Sequence, residues 1–215
     1  MLAITLVLVL LVPIAGVLAA LIGVSMLVIS SFLVALWFVF ALFTLYFFRD
    51  PSPHVPMGAN LVVSPGHGKI DIIDTITDRE FMGGECRRIS MFLSIFDVHV
   101  QNAPVAGKIA VLKYTEGQFL NAMRVDCAAV NENVFIGIET SEPGGQKAGV
   151  RLIAGVLARR IVPWVSPGDE VTRGDRISLI QFGSRVELYL PMSASIKTQL
   201  GDKVVGGRTV LAQFQ

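Results

Sequence analysis

Hydrophobic and polar positions follow two different patterns along this chain. Residues 1–48 form an unbroken apolar run without a single Lys, Arg, Asp or Glu, so every charged residue lies in 49–215. A membrane span needs about 20 apolar residues, so the run is long enough for two, Leu2–Leu21 and Ser25–Phe47, with Gly23 near the break. A single straight helix of that length would reach about 70 Å at 1.5 Å per residue, well past the hydrocarbon thickness. The expectation is therefore a transmembrane helical hairpin or a shallowly inserted pair. A secretory signal fits poorly, because no basic residues precede the run and it is about three times too long. Aromatic residues gather at its exit (Trp37, Phe38, Phe40, Phe43, Tyr46, Phe47, Phe48), as in an interfacial belt, and Arg49 follows at once. The positive-inside tendency puts residues 49–215 on the cytoplasmic side of the cell membrane.

After the breaker cluster Asp50-Pro51-Ser52-Pro53-His54 the pattern changes to short runs rich in Val and Ile, separated by Gly/Pro turns. These predict strands over Leu61–Val63, Lys69–Ile76, Arg88–Phe92, Val98–Val100, Lys108–Lys113, Val134–Glu139, Val150–Ile153, Ile177–Gln181, Val186–Leu190 and Thr209–Phe214. The spacing favours an antiparallel sandwich or barrel over a parallel sheet. Ala154–Arg160 fits either a helix or the continuation of a strand. Weak internal similarity relates Ser64–Ile70 to Ala103–Ile109, and Pro167–Asp175 to Gly201–Gly207. The second pair resembles the Gly-Asp-x-Val-x-x-Gly turn of biotinyl/lipoyl-type barrels, which implies two interlocked hammerhead motifs about a pseudo-twofold axis. No lysine sits in the hairpin that such barrels modify, so neither biotin nor lipoate is expected. The fold class is thus mainly β, with residues 1–48 as anchor and 49–215 as the functional domain.

Composition narrows the function. The chain is 53% hydrophobic and 16% charged with a net charge of +1, which argues against a nucleic-acid surface. Cys86 and Cys127 lie far apart and suggest buried free thiols. Three histidines without Cys-x-x-Cys or His-Glu-x-x-His spacing leave no metal site in view.

One dipeptide stands out chemically. In Phe182-Gly183-Ser184-Arg185, a tight turn would let the Ser184 hydroxyl add to the Gly183 carbonyl, since glycine has no Cβ and tolerates a strained backbone. The resulting ester can eliminate to dehydroalanine and hydrolyse to a pyruvoyl group capping a new chain. On its own, Gly-Ser is an ordinary turn. His99, in Phe96-Asp97-Val98-His99-Val100-Gln101-Asn102, is a candidate general base near neutral pH, and strand alternation would put Asp97, His99 and Gln101 on one face. The competing reading is a structural histidine. His67, in a Gly-rich turn, and His54, in the Pro-rich segment, read first as structural or solvated.

Five stretches together resemble the phosphatidylserine decarboxylases in their short microbial form: Phe47–Pro51, Ser64–Gly68, Phe96–Val100, Ile153–Val162 and Gly174–Val186. The likeness runs in order from residue 47 to about 192. It implies a pyruvoyl-dependent enzyme that cuts itself between Gly183 and Ser184 into chains 1–183 and 184–215. Its covalent cofactor would come from Ser184, form a Schiff base with phosphatidylserine, and yield phosphatidylethanolamine. The partners implied are a phospholipid substrate, the membrane and the two cleaved chains, with no nucleic acid; exposed strand edges leave room for a homodimer. Long-form relatives carry Asp-x-His-x-x-His, where this chain has Asp97, His99 and Asn102. His99 would then serve both self-cleavage and turnover. Relatives usually read Ser-Pro-Ala-Asp-Gly where this chain has His67, which would act as a base in the aspartate's place. Arg159, Arg160 and Arg185 could meet the lipid phosphate, although solvated strand-edge charges are the simpler assignment. The alternatives are a non-processed membrane-anchored barrel, or a decarboxylase of an archaeal ether lipid with the same headgroup.

Overall fold

The computed structural model describes residues 2–121, 127–141, 144–156, 160–181 and 184–215, with the backbone alone for 2–10, 12 and 127. The chain separates into two compact units, Met1–Tyr46 and Phe47–Gln215.

The first unit is an apolar helix, α1 (Leu2–Phe47), which runs without interruption through Pro13 and Gly23. This corrects the hairpin expected from the length of the run. A hairpin needs a turn able to satisfy its own backbone, and Ile22-Gly23-Val24-Ser25 offers none. A lone glycine costs a helix only about 1 kcal/mol, and the Ser25 hydroxyl donates back to the Leu21 carbonyl at 2.9 Å, inside the helical ladder. Within it, Pro13–Phe47 is long and apolar enough to cross a membrane.

The second unit is almost entirely antiparallel β-structure, with the single short helix α2 (Cys127–Val130) among the described residues. Its strands are β1 (Leu61–Val63), β2 (Gly68–Asp78), β3 (Gly84–Leu93), β4 (Val100–Asn102), β5 (Gly107–Thr115), β6 (Asn133–Thr140) and β7 (Lys147–Ala154). They continue with β8 (Ile161–Pro163), β9 (Glu170–Val171), β10 (Arg176–Ile180), β11 (Ser184–Pro191), β12 (Ser195–Ile196), β13 (Lys203–Val204) and β14 (Val210–Gln213). One eight-stranded sheet has the order β13-β2-β3-β11-β7-β6-β5-β9, and two three-stranded sheets run β1-β14-β12 and β4-β10-β8. The eight-stranded sheet ends on two-residue strands, so its open edges are short.

That order reads the same from both ends once the chain is divided into two copies. One copy is β4–β10; the other is β1–β3 followed by β11–β14. The equivalence extends to single hydrogen bonds. Ile70 N–H donates to the Asp202 carbonyl at 2.9 Å and Ile109 N–H to Asp169 at 2.8 Å, while Val63 N–H donates to Pro104 and Asn102 N–H to Pro65. Both copies also need glycine at one place: a Cβ on Gly68 would lie 2.3 Å from the Phe92 carbonyl oxygen, and on Gly107 2.1 Å from that of Glu139. Two interlocked motifs about a pseudo-twofold are therefore present, as the internal similarity suggests. The second copy is inserted into the first between β3 and β11.

β11 sits mid-sheet, paired along its length with β3 and β7. Its alternation divides two environments. Val186, Leu188 and Leu190 join the hydrophobic core with Ile89, Met91 and Leu152, each buried side chain stabilising the fold by about 1.5–3 kcal/mol. Arg185, Glu187 and Tyr189 occupy the other face, also buried. There Glu187 accepts from Arg88 at 3.2 Å and from the Tyr189 hydroxyl at 2.8 Å. Burial, and after it the Glu187 charge, pushes the Tyr189 phenol upward. Cys86 is a buried free thiol, pushed up to about 11 chiefly by burial.

Candidate active site

Inserting one copy into the other leaves two covalent junctions, residues 94–99 between β3 and β4, and 181–183 between β10 and β11. Register pairs the residues that flank the junctions: Ser184 with Leu93 at one end, and Leu179 with Val100 at the other. His99 and Ser184 are the last residue of the first junction and the first residue after the second. Gly183, the expected cleavage position, lies outside the described residues.

Ser184 opens β11 between Leu93 and Ala154 and shares the core-facing side with Val186. Its side chain is fully buried, and its Oγ has no hydrogen-bond partner among the described residues. A buried hydroxyl left so costs about 1–3 kcal/mol, a strain that folded chains rarely carry without a use for the group.

His99 is fully buried too. Its Nδ1 lies 2.9 Å from the Asp97 backbone carbonyl. A carbonyl can only accept, so Nδ1 carries the proton and Nε2 keeps the lone pair. The Phe47 ring packs on the imidazole with centroids 4.2 Å apart. Burial lowers the His99 pKa to about 4, against the opposing pull of Asp97 and with a smaller push from Arg49 and His67. At neutral pH the ring is thus an uncharged base. The expected shared face of Asp97, His99 and Gln101 needs correction, because β4 begins only at Val100 and residues 94–97 form a turn. The Asp97 carboxylate caps that turn, accepting from the Ser94 N–H and hydroxyl at 2.8 Å each, and it is the Asp97 backbone that holds the imidazole.

His67 is half-buried and its pKa is lowered, burial being the main cause; Asp97 opposes this and Arg49 adds to it. The structure thus gathers His67, His99, Asp97 and Arg49 into one electrostatic cluster. Gly206 sets the position of the His67 ring: a Cβ there would lie 3.1 Å from His67 Cδ2 and 2.8 Å from Asn102 Oδ1. Asn102, at the position of the long-form second histidine, donates to the Gly174 carbonyl at 2.9 Å and is structural. His54 is exposed.

Arg185 corrects the two roles first open to it. It is neither solvated nor available to a phosphate: it is fully buried, with Nη1 and Nη2 at 2.8 and 2.7 Å from the Asp71 carboxylate and a further bond to Ser90 Oγ at 2.7 Å. Arg160 is exposed beside the junction, its carbonyl accepting from the Gln181 N–H at 3.2 Å; Arg159 lies outside the described residues. Sequence reasoning missed the contributions of Phe47 and Arg49, although both stand in one of the five family-like stretches. Arg49 donates to the Phe96 carbonyl at 2.7 Å, and Asp50 pairs with Arg176 at 2.6 Å. A cavity of about 700 Å³ is lined by Pro53, Trp164 and Arg173, and by neither Ser184 nor His99 nor His67.

Comparison with known proteins gives the family. The family model described as phosphatidylserine decarboxylase matches residues 40–212. A phosphatidylserine decarboxylase proenzyme of Desulfotalea psychrophila is 44% identical over 182 residues, covering 83% of this chain and 84% of the relative. Those of Symbiobacterium thermophilum and Zymomonas mobilis are 41% and 42% identical, covering 81% and 78% of this chain and 80% and 70% of theirs. With its fold, its open seam at Ser184 and relatives of this closeness, the chain belongs to the phosphatidylserine decarboxylase family.

Proposed function

We propose that this protein is a self-processing decarboxylase of phosphatidylserine, anchored through α1 with its β unit on the cytoplasmic side. The observation that carries this reading is the buried, unpartnered Ser184 hydroxyl at an open seam that also ends in a neutral histidine. His99 Nε2 takes the Ser184 proton as Oγ adds to the Gly183 carbonyl. The peptide C–N bond then breaks, the proton passing to the leaving nitrogen, and an ester joins the two residues. Loss of the Ser184 α-proton expels the Gly183 carboxylate, and water converts the resulting dehydroalanine to a ketone with release of ammonia. The atoms balance without an outside oxidant or reductant.

The site fits a pyruvoyl group, because converting Ser184 removes the orphaned hydroxyl from its buried position. Such a group supplies a ketone that captures a primary amine and draws off electrons as carbon dioxide departs. The chain's own residues do the rest. Burial by Phe47 keeps His99 uncharged and able to exchange protons at Nε2, and the hydrogen bond to the Asp97 carbonyl fixes the ring. His67 serves as a second neutral base, and Asp97 supplies to both rings the negative charge that the family's usual aspartate would bring. Arg160, exposed beside the seam, takes the lipid phosphate.

Intact mass of the purified protein tests the reading. It requires a 32-residue chain beginning at a pyruvoyl-blocked residue 184, and release of carbon dioxide from phosphatidylserine. A protein that stays a single 23.3 kDa chain in its own host would instead be a non-processed barrel.

A further inference from the structure

The turn that carries His99 has an unusual tip. Its frame is polar and tightly fastened: the Asp97 carboxylate binds the Ser94 N–H and hydroxyl, Asp97 N–H donates to the Ser94 carbonyl at 3.0 Å, and Arg49 donates to the Phe96 carbonyl at 2.7 Å. Turn tips are normally Gly, Asn, Asp, Ser or Pro. Here they are Ile95 and Phe96, which are 37% and 62% exposed.

The rest of this end of the sheet matches. Asn131 ties the 118–121 segment to the Ala154 carbonyl, next to Ser184, and Phe119, Val130 and Val156 stand exposed around it. Phe48, stacked edge-on against Phe47, is 39% exposed. The opposite end of the sheet is built the other way. In the β2–β3 turn the exposed tip is Arg79-Glu80, while Phe81 is tucked in at 5% exposure beneath Lys147, whose Nζ lies 5.1 Å over its ring. One sheet thus has a charged end and an apolar end, and the apolar end holds Ser184 and His99.

We propose that the Ile95–Phe96 turn, with the apolar rim around it, docks into the interfacial layer of a lipid bilayer and so brings a membrane-held headgroup to Ser184. This deepens the reading above and rests on it. The occupant is a lipid surface for three reasons. The chain enters this end directly from an apolar helix long enough to span a membrane. A cation, Arg49, sits between the apolar groups, as interfacial elements of anionic membranes require. And a rim of separate aliphatic and aromatic tips around a polar centre suits a fluid interface, where each tip finds its own depth. Because the turn also positions His99 through the Asp97 carbonyl, docking and the base share one rigid frame.

The test uses the full chain and two forms of substrate, dihexanoyl phosphatidylserine dissolved as monomers and long-chain phosphatidylserine in phosphatidylcholine vesicles. In the variant Ile95→Ser/Phe96→Ser, which adds no charge and keeps the backbone carbonyls of the turn, self-cleavage and turnover of the dissolved substrate should stay near wild type. Turnover of the vesicle substrate should fall about tenfold or more, the size expected from losing the burial of one aromatic side chain. Equal rates on vesicles, or an equal fall on both substrates, would overturn the proposal. Should this variant misfold, Phe96→Trp decides: its added fluorescence, over that of wild type, should be quenched by brominated phosphatidylcholine. Absence of quenching overturns the proposal, as does a blue shift that depends on protein concentration and not on lipid, which would mean a second copy of this chain. If the wild-type chain neither self-cleaves nor turns over the dissolved lipid, the decarboxylase reading fails instead, and the quenching result still reports on docking.

Discussion

The same hairpin occurs twice in this molecule, once closed and once opened. In the inserted copy, β6 runs into β7 through residues 141–146, where Thr140 N–H donates to the Gln146 carbonyl at 2.9 Å and closes the turn. In the interrupted copy the equivalent strands, β3 and β11, still pair from Leu93 and Ser184 onward, but no turn joins them. The ends diverge into the other copy, and the chain returns 91 positions later (|i−j| between 93 and 184). The opened hairpin leaves β11 to start mid-sheet at Ser184, whose hydroxyl is buried without a partner among the described residues, and the other junction ends at the buried His99. The proposed chemistry therefore falls where the symmetry of a duplicated architecture is broken, and the closed hairpin is its internal control.

The largest effect should come from Ser184→Ala, which leaves the chain at 23.3 kDa by intact mass and without measurable decarboxylase activity, while thermal unfolding changes little. His99→Ala should slow self-cleavage by about a hundredfold to ten-thousandfold, the usual span for losing a general base; cleavage at the wild-type rate would return the seam to a merely structural feature. Acid should act through the same ring. Unfolded histidine takes its proton near 6.5 and folded His99 near 4, so its contribution to stability is complete above about 6.5 and is lost as pH falls toward 4. The cleavage rate, followed by mass over time, should be level across neutral pH and decline as pH nears about 4. Gly206→Ala should crowd His67 and Asn102, lowering stability by about 1–3 kcal/mol in denaturant melts and slowing cleavage. The smallest effect is the sharpest for the comparison. Gln146→Ser gives Gly145 a serine as its next neighbour, so the closed hairpin also carries a Gly-Ser pair, and mass analysis should find no cut there. A cut would mean that the dipeptide, rather than the opened seam, suffices.

Strands of five or more residues were legible because a period of two needs several repeats to register. The predicted Lys108–Lys113 and Val134–Glu139 lie inside β5 and β6. Two-residue strands such as β9 and β13 hold no period at all and were missed, although the segments that contain them had shown their likeness to one another. Charged residues in β11 misled in a specific way. Arg185 reads as solvent-facing, yet its partner Asp71 lies 114 positions away and is brought opposite only by the sheet. The length of the apolar run suggested a hairpin, whereas helix continuity was decided locally by hydroxyl bonds such as that of Ser25. Ser184 and His99 stood out as candidates through the family-like stretches that hold them, and the structure shows both buried. The Asp97 turn was not legible, because a carboxylate that caps its own backbone looks, in sequence, like one that serves a neighbouring histidine.

One contact at the far end of the chain gives the seam a further meaning. Phe214 N–H donates to the Asn60 carbonyl at 2.9 Å, so the β unit begins and ends at the same spot. A break before Ser184, the cut proposed above, would open the unit at a second point, far in sequence from this contact. The cut would give two chains held together by the sheet, with β11 still paired to β3 and β7. The new terminus would lie in the middle of the sheet with a neighbour on each side, and the Phe214–Asn60 contact would stay made. A reactive carbonyl at such a terminus is as firmly placed as any interior residue, an uncommon condition for the first atom of a chain.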